Sequence, residues 1–343
     1  MKKLVPVIAG VAVATVAVGA LVAFSRPDDA RPRRPSPPIV SAPPPAPRTA
    51  YEEAVDAANR HGLRVWIETD LVKRWSEGPE AFNQAVTIVA SLARRPGVVG
   101  IKIADELGYR DSLTSEEKVA AFLAASAGAL RAAAPGKLLL ADVFGPELGC
   151  LPGYDPPLRW ATVCGVQARG QYPQLALTAI DDYLRSGNLD VVNLSTGLLP
   201  DKTYAGWGID QDVAQRTAWQ EAHRRGWDTL VRLQARKALA HPGEYTDTAT
   251  DQTLATFIDI PTAEGAGAVD VWTWRQLYKG QIHRLMDPGL KPNALWDGLV
   301  KRHASGMRLF THLSPQSLEV GLEPDLAVVA TAFTDLFVAA GTG

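Results

Sequence analysis

Short apolar stretches alternate with amphipathic runs at near-regular spacing from about residue 51 to residue 312. Arg64–Thr69, Val98–Ala104, Lys137–Val143, Leu189–Ser195, Thr229–Ala235 and Ala268–Trp274 read as strands, with Met307–Phe310 a weaker one. Helical patterns precede or separate them at Tyr51–His61, Glu80–Arg95, Ser115–Ala134, Leu175–Arg185, Asp212–Arg225, Gln252–Glu264 and Asn293–Ala304. Gly62, Gly97, Gly136, Gly226 and Gly267 stand where helix hands over to strand, as C-terminal caps do. Such alternation requires a parallel sheet covered by helices. The first strand is not followed by the Gly-rich phosphate loop of an open dinucleotide-binding sheet. The expected fold class is therefore α/β, a (β/α)8 TIM-like barrel. Reaching eight strands calls on Pro38–Ala42 as a short, irregular first strand and on an element within Arg159–Val166.

The 343 residues are 46% hydrophobic and 21% charged, enough apolar surface for a large core. A net charge of −2 gives no field that would recruit nucleic acid, and no nucleic-acid partner is expected. Residues 1–24 carry Lys2 and Lys3 before an uncharged apolar run from Leu4 to Phe24, which reads as a signal peptide or membrane anchor. Residues 25–49 are a Pro-rich linker, residues 50–312 the barrel, and residues 313–343 a C-terminal extension packing on it, with an apolar helix around Asp325–Ala340. This organisation places the body outside the cell or at the cell surface, secreted or tethered, with the membrane as a partner through the N-terminal segment. Cys150 and Cys164 are the only cysteines; in an exported body they would close a short disulfide loop, and otherwise they are two buried thiols.

The strands alternate in a way that a sheet buried on both faces does not require. Val65 and Ile67 interleave with Trp66 and Glu68, and Ile101 and Ile103 with Lys102. Leu139, Ala141 and Val143 interleave with Asp142, Val231 and Leu233 with Arg232 and Gln234, and Val269 and Val271 with Asp270 and Trp272. Period-two geometry then sets one face against the helices. The other gathers Glu68, Lys102, Glu106, Asp142, Asn193, Arg232, Gln234, Trp272 and Trp274 inside the barrel, most of them near strand C-termini, where barrel enzymes carry their chemistry. Glu68 and Asp142 also balance Lys102 and Arg232 in charge, so a purely structural lattice is the competing account.

Other chemistries lack their residues. The six histidines fall in expected helices and loops, so no metal site is expected, and neither a nucleophile elbow nor a Walker loop is present. No cofactor is expected. Lys102 as a Schiff-base lysine is a further alternative, opposed by the carboxylates on its own face.

Arg64-Val65-Trp66-Ile67-Glu68-Thr69-Asp70, Gly100-Ile101-Lys102-Ile103-Ala104-Asp105-Glu106 and Val271-Trp272-Thr273-Trp274 together resemble the barrel of the large clan of retaining glycoside hydrolases. That resemblance implies an acid/base role for Glu106, a sugar platform at Trp274, and Asp105 in place of the clan's Asn. Where the clan carries its nucleophilic glutamate this chain has Leu233-Gln234-Ala235-Arg236-Lys237, with no carboxylate. Glycoside hydrolysis needs two carboxyl groups, one protonated and one ionised. The expected catalytic set is Glu106 as acid with Asp142 or Glu68 as its partner, and Asp70 and Glu147 behind them. Trp66, Asp70, Lys102, Asp105 and Tyr109 are expected to bind substrate from the first strands. Asn193, Arg232, Gln234, Trp272, Trp274 and Arg275 are expected to do so from the later ones. The expected function is an exported or membrane-tethered glycoside hydrolase-like protein acting on a polysaccharide; the alternative is an inactive barrel that binds glycan without cleaving it.

Overall fold

A computed structural model describes residues 48–156 and 158–340; the expected N-terminal anchor, most of the Pro-rich linker and the strand proposed at Pro38–Ala42 lie outside the described residues. Eight parallel strands close into a barrel: β1 (Arg64–Glu68), β2 (Val98–Ala104), β3 (Leu138–Phe144), β4 (Val191–Ser195), β5 (Arg232–Ala238), β6 (Val269–Tyr278), β7 (Leu309–Leu313) and β8 (Asp335–Ala339). Each pairs with its neighbours in chain order; β8 lies between β7 and β1, and β5 with β6 completes the ring. The TIM-like barrel expected from the alternation is the fold observed.

Local chemistry explains the element ends. Thr49 and Glu52 form a reciprocal capping box at helix Ala50–Arg60, and the Asn293 side chain accepts from Trp296 N at 2.9 Å to start helix Ala294–Ala304. Gly97 and Gly226 take φ +77 and +74 where helices end, the left-handed backbone that disfavours side chains. Between strands and helices lies the main core, from Val65, Ile67, Ile101 and Ile103 outward to Phe122, Trp219 and Leu299.

The barrel interior is stratified. Its lower half is a dry plug of Trp66, Leu140, Val191, Ala268, Phe310 and Phe337. Gly100 makes room for it, because a Cβ there would stand 2.3 Å from the Trp66 ring. Beneath, the wholly buried Asp335 accepts from Arg64 at 2.7 Å, Trp66 Nε1 at 3.1 Å and Arg308 at 2.9 Å. A second, larger polar layer begins above the plug.

Two expectations change here, and one alternative is decided. Arg159–Val166 is not a strand but part of helix Arg159–Gln171. Residues 313–343 are not an appendage to a finished barrel, since they supply helix Leu322–Val329 and β8. The two cysteines are joined, Cys150 to Cys164, tying the turn at Leu148–Cys150 to that helix across 14 residues of chain. A loop of this length limits the unfolded chain by about 3 kcal/mol, so Cys150→Ser with Cys164→Ser should lower the unfolding free energy by roughly that amount. Urea unfolding of the pair of variants against wild type checks it; equal midpoints would show that the bridge contributes nothing.

Candidate functional site

Above the aromatic plug, the C-terminal halves of the strands project a connected set of charges into the barrel. Lys102 on β2 is wholly buried, with Nζ 2.8 Å from Glu68 Oε1, 2.6 Å from Asp142 Oδ2 and 3.3 Å from Asp105 Oδ1. Arg236 on β5 reaches across to Asp105 at 2.7 Å and Glu106 at 3.2 Å, and its Nε lies 2.7 Å from Asp142 Oδ2. The contacts that Lys102 and Arg236 Nε make with Asp142 Oδ2 are charge contacts rather than aligned hydrogen bonds. His312 on β7 bridges Glu68 and Asp270, 2.8 Å from each, and stacks on Phe337. Asn193 on β4 donates to Asp142 Oδ1 at 2.9 Å and Asp270 Oδ2 at 3.0 Å.

Burial and pairing set the protonation states. Burial opposes the charge on Lys102, yet Asp142, Glu68 and Asp105 outweigh it and hold the ammonium well above its usual range. Glu68 is brought down to about 2, because His312 and Lys102 overcome its desolvation. Desolvation likewise disfavours a charged His312, but Asp270 and Glu68 raise it to about 9. Asp142 goes the other way: burial pushes it up to about 8 against the pull of Arg236 and Lys102, and the hydrogen-bonded Asp105 adds to the push. Desolvation opposes the charge on Asp105 as well, but Lys102 and Arg236 hold its carboxyl well below the usual range. Asp105 and Glu106 open the site to solvent, their side chains 59% and 36% exposed. Glu106 takes φ +48, a left-handed conformation rare for a non-glycine residue, within the turn that Tyr109 N closes onto its carbonyl at 2.7 Å.

Glu68, Lys102, Asp105, Glu106, Asp142 and Asn193 are thus brought together, Tyr109 has its ring against Phe144 and Tyr172, and Gln234 is buried beside Asn193 in the sheet register and lines the lower cleft. Trp272 also lies near strand C-termini, its ring edge-on to Tyr278. Five expected residues do other work. Trp66 belongs to the plug. Arg232 is exposed at the opposite, N-terminal end, lining a cleft of about 550 Å³ with Asp190 and Arg308. Trp274 is 2% exposed in the outer layer, against Trp296 and bonded to Asp325 at 3.0 Å. Arg275 holds the 314–319 segment through Glu319 and the Ser317 carbonyl, both at 2.5 Å. Asp70 is exposed at the head of helix Leu71–Glu77. Glu147, the reserve carboxylate, is spent on Arg169 and Leu177 N.

Arg236, Asp270 and His312 were not among the expected site residues. Their signal was present: each lies on the inward parity of its strand, two residues from another inward side chain. Lys102 is excluded as a Schiff-base lysine by its three carboxylates. Among the described residues no group of three His, Cys, Asp or Glu side chains is placed to hold a metal ion.

No family model matches the chain, and no curated protein matches it. Among solved structures it is similar to the carboxyl transferase domain of Rhizobium etli pyruvate carboxylase with 3-bromopyruvate, at 11% identity over 84% of this chain and 42% of that one, TM-score 0.44. The same domain with pyruvate and biocytin aligns at 13% identity over 90% of this chain and 47% of that one, TM-score 0.41. The complete multifunctional enzyme aligns at 12% over 84% of this chain and 24% of its own length, TM-score 0.42. This chain therefore spans less than half of each, and at such identity the likeness carries no argument about activity.

The glycoside hydrolase expectation is corrected, together with its glycan-binding alternative and the carbohydrate partner. The clan's platform tryptophan is buried outside the barrel at Trp274, and Arg236 occupies the nucleophile's strand and pins Glu106. Export and membrane attachment are withdrawn as well. No helix among the described residues is long and apolar enough to cross a membrane, and the run Leu4–Phe24 lies outside them.

Two outcomes follow from the charge network. Lys102→Met leaves three carboxylates facing one another in a desolvated space and should cost about 3–5 kcal/mol in denaturant unfolding near neutral pH; a loss below about 1 kcal/mol would mean that the pairs do not hold the barrel. His312, near 6.5 in an unfolded chain and about 9 here, stabilises fully below pH ~6.5 and loses that contribution as pH rises towards 9. Asp142, whose folded carboxyl keeps its proton up to about 8, also loses stability as pH rises through the neutral range. Unfolding midpoints should therefore fall from about pH 6.5 to 9, less steeply in His312→Gln; a flat or rising profile contradicts the assignment.

Proposed function

We propose that the C-terminal mouth of the barrel is an acid–base site that moves a proton on a small polar substrate. Glu106, half exposed and set apart by its strained backbone, is the carboxylate that meets the substrate and takes its proton. Arg236 lies 3.2 Å from it, where a guanidinium stabilises the negative charge that develops on a substrate oxygen. Asp142 returns a proton from the pair it forms with Asp105, and water carries the proton taken by Glu106 back to that pair. Lys102, Glu68 and His312 touch one another and Asn193 holds Asp142 and Asp270; the four are positioning residues that fix the depth and protonation of Asp142.

One observation carries this reading. Asp105 and Asp142 share the same two cations, Lys102 and Arg236, but differ in depth, 59% against 1% exposed, and this sets their proton affinities apart, one well below the usual range and one up to about 8. Such a divided pair retains one proton near neutral pH at the end of the barrel where chemistry is done.

Carbon-13 carboxyl spectra across pH should show Asp142 titrating near neutral or above, and Asp142→Asn should remove that transition. In deuterated water, a panel of small carbonyl compounds with exchangeable α-protons should include members that exchange faster with the protein, and Glu106→Gln should abolish the gain. The proposal fails if Asp142 titrates as an ordinary carboxyl. It also fails if no compound exchanges faster, which leaves the network a structural lattice only.

A further inference from the structure

Two lysines stand towards the C-terminal ends of β2 and β5, and their surroundings are opposite. Lys102 is saturated by carboxylates. Lys237 on β5 follows Arg236, and strand alternation turns it away from the barrel axis towards the helical layer. There its Nζ lies 3.6 Å from the centroid of the Phe257 ring. Phe257 sits in the π-helical turn Ala255–Asp259, which interrupts the helical cover behind β5. Among the described residues no carboxylate forms an ion pair with Lys237, and its side chain is neither fully buried nor fully exposed.

That combination is uncommon for a lysine. A desolvated ammonium without a counter-charge gives up its proton more readily, and burial does lower the proton affinity of Lys237. The ring contact favours the cation and offsets part of this. What remains is an amine on a rigid strand, with its stem packed and its head still reachable.

We infer that Lys237 is a covalent capture site for small aldehydes or ketones, its ε-amine condensing with the carbonyl carbon to form an imine. The nitrogen lone pair forms the new C–N bond, the carbonyl oxygen leaves as water with both amine hydrogens, and no oxidant or reductant is needed. This inference is independent of the acid–base reading, because Lys237 faces the opposite side of its strand.

Acetaldehyde with cyanoborohydride tests it on the full chain near neutral pH. The reductant converts each imine to a stable ethylamine, and peptide mass spectrometry gives the rate at every lysine. Lys237 should be ethylated faster than the exposed Lys73, because burial leaves more of its amine unprotonated. Lys102 should remain unmodified. Lys237→Arg should leave the other lysines at their wild-type rates, and Phe257→Ala, which admits water, should bring Lys237 down towards Lys73. Lys237 reacting no faster than Lys73 in the wild-type chain overturns the inference, whatever the variants do.

Discussion

The ammonium of Lys102, placed where no water reaches it, is the constraint around which the upper half of the barrel is arranged. A lysine at this depth is tolerated only if carboxylates surround it, and Glu68, Asp105 and Asp142 do so from three successive strands. Those carboxylates in turn need donors on their far sides. His312, Asn193 and Arg236 supply them from strands across the barrel, which stitches β1 to β5 and β7 through side chains as well as through the sheet. Removing the central charge would leave every other member mismatched.

The aromatic layer beneath makes this arrangement strong. Trp66, Phe310 and Phe337 close the lower barrel, and the Lys102 ammonium lies 5.4 Å from the Phe337 ring centroid, so the network faces a low-dielectric floor. Solvent reaches it only from above. Depth then orders the carboxyls: Asp105 and Glu106 at the opening are exposed, Glu68 is partly covered, and Asp142 is 1% exposed. The same gradient explains why two hydrogen-bonded aspartates differ in proton affinity.

Parity was legible in the sequence, and height along the barrel was not. Alternation identified the inward face of β1 to β6, and Glu68, Lys102, Asp142, Asn193 and Gln234 all lie on it. Arg232 has the correct parity but the wrong level. The helical turn Trp227–Leu230 delays the start of β5, so Arg236, four residues on, occupies the mouth. Trp274 fails for another reason: pairing of β6 with β7 slips between Val271 and Arg275, and the alternation does not carry through the slip. His312 was missed because Met307–Phe310 ended the strand one inward position early. Asp335–Ala339 was read within a helix, since a short apolar run has no period long enough to tell strand from helix.

Desolvation, rather than the charge count, gives the proton on Asp142 its physical reason. Fully charged, the network would hold five carboxylates, Glu68, Asp105, Glu106, Asp142 and Asp270, against the three cations Lys102, Arg236 and His312. Two of the five, Asp105 and Glu106, face water and tolerate their charge there. The other three, Glu68, Asp142 and Asp270, balance the three cations one for one, so the count alone demands no proton and depth decides where one is held. Burial favours the neutral form of Asp142 against the pull of Arg236 and Lys102, and Asp105 beside it adds to that preference. An inward side chain added to shield Lys102 thereby becomes a reservoir for a proton at the end of the barrel that solvent can reach. The structural lattice and the proposed acid–base site are then one arrangement, because the same burial that makes the pairing necessary also favours a proton on Asp142.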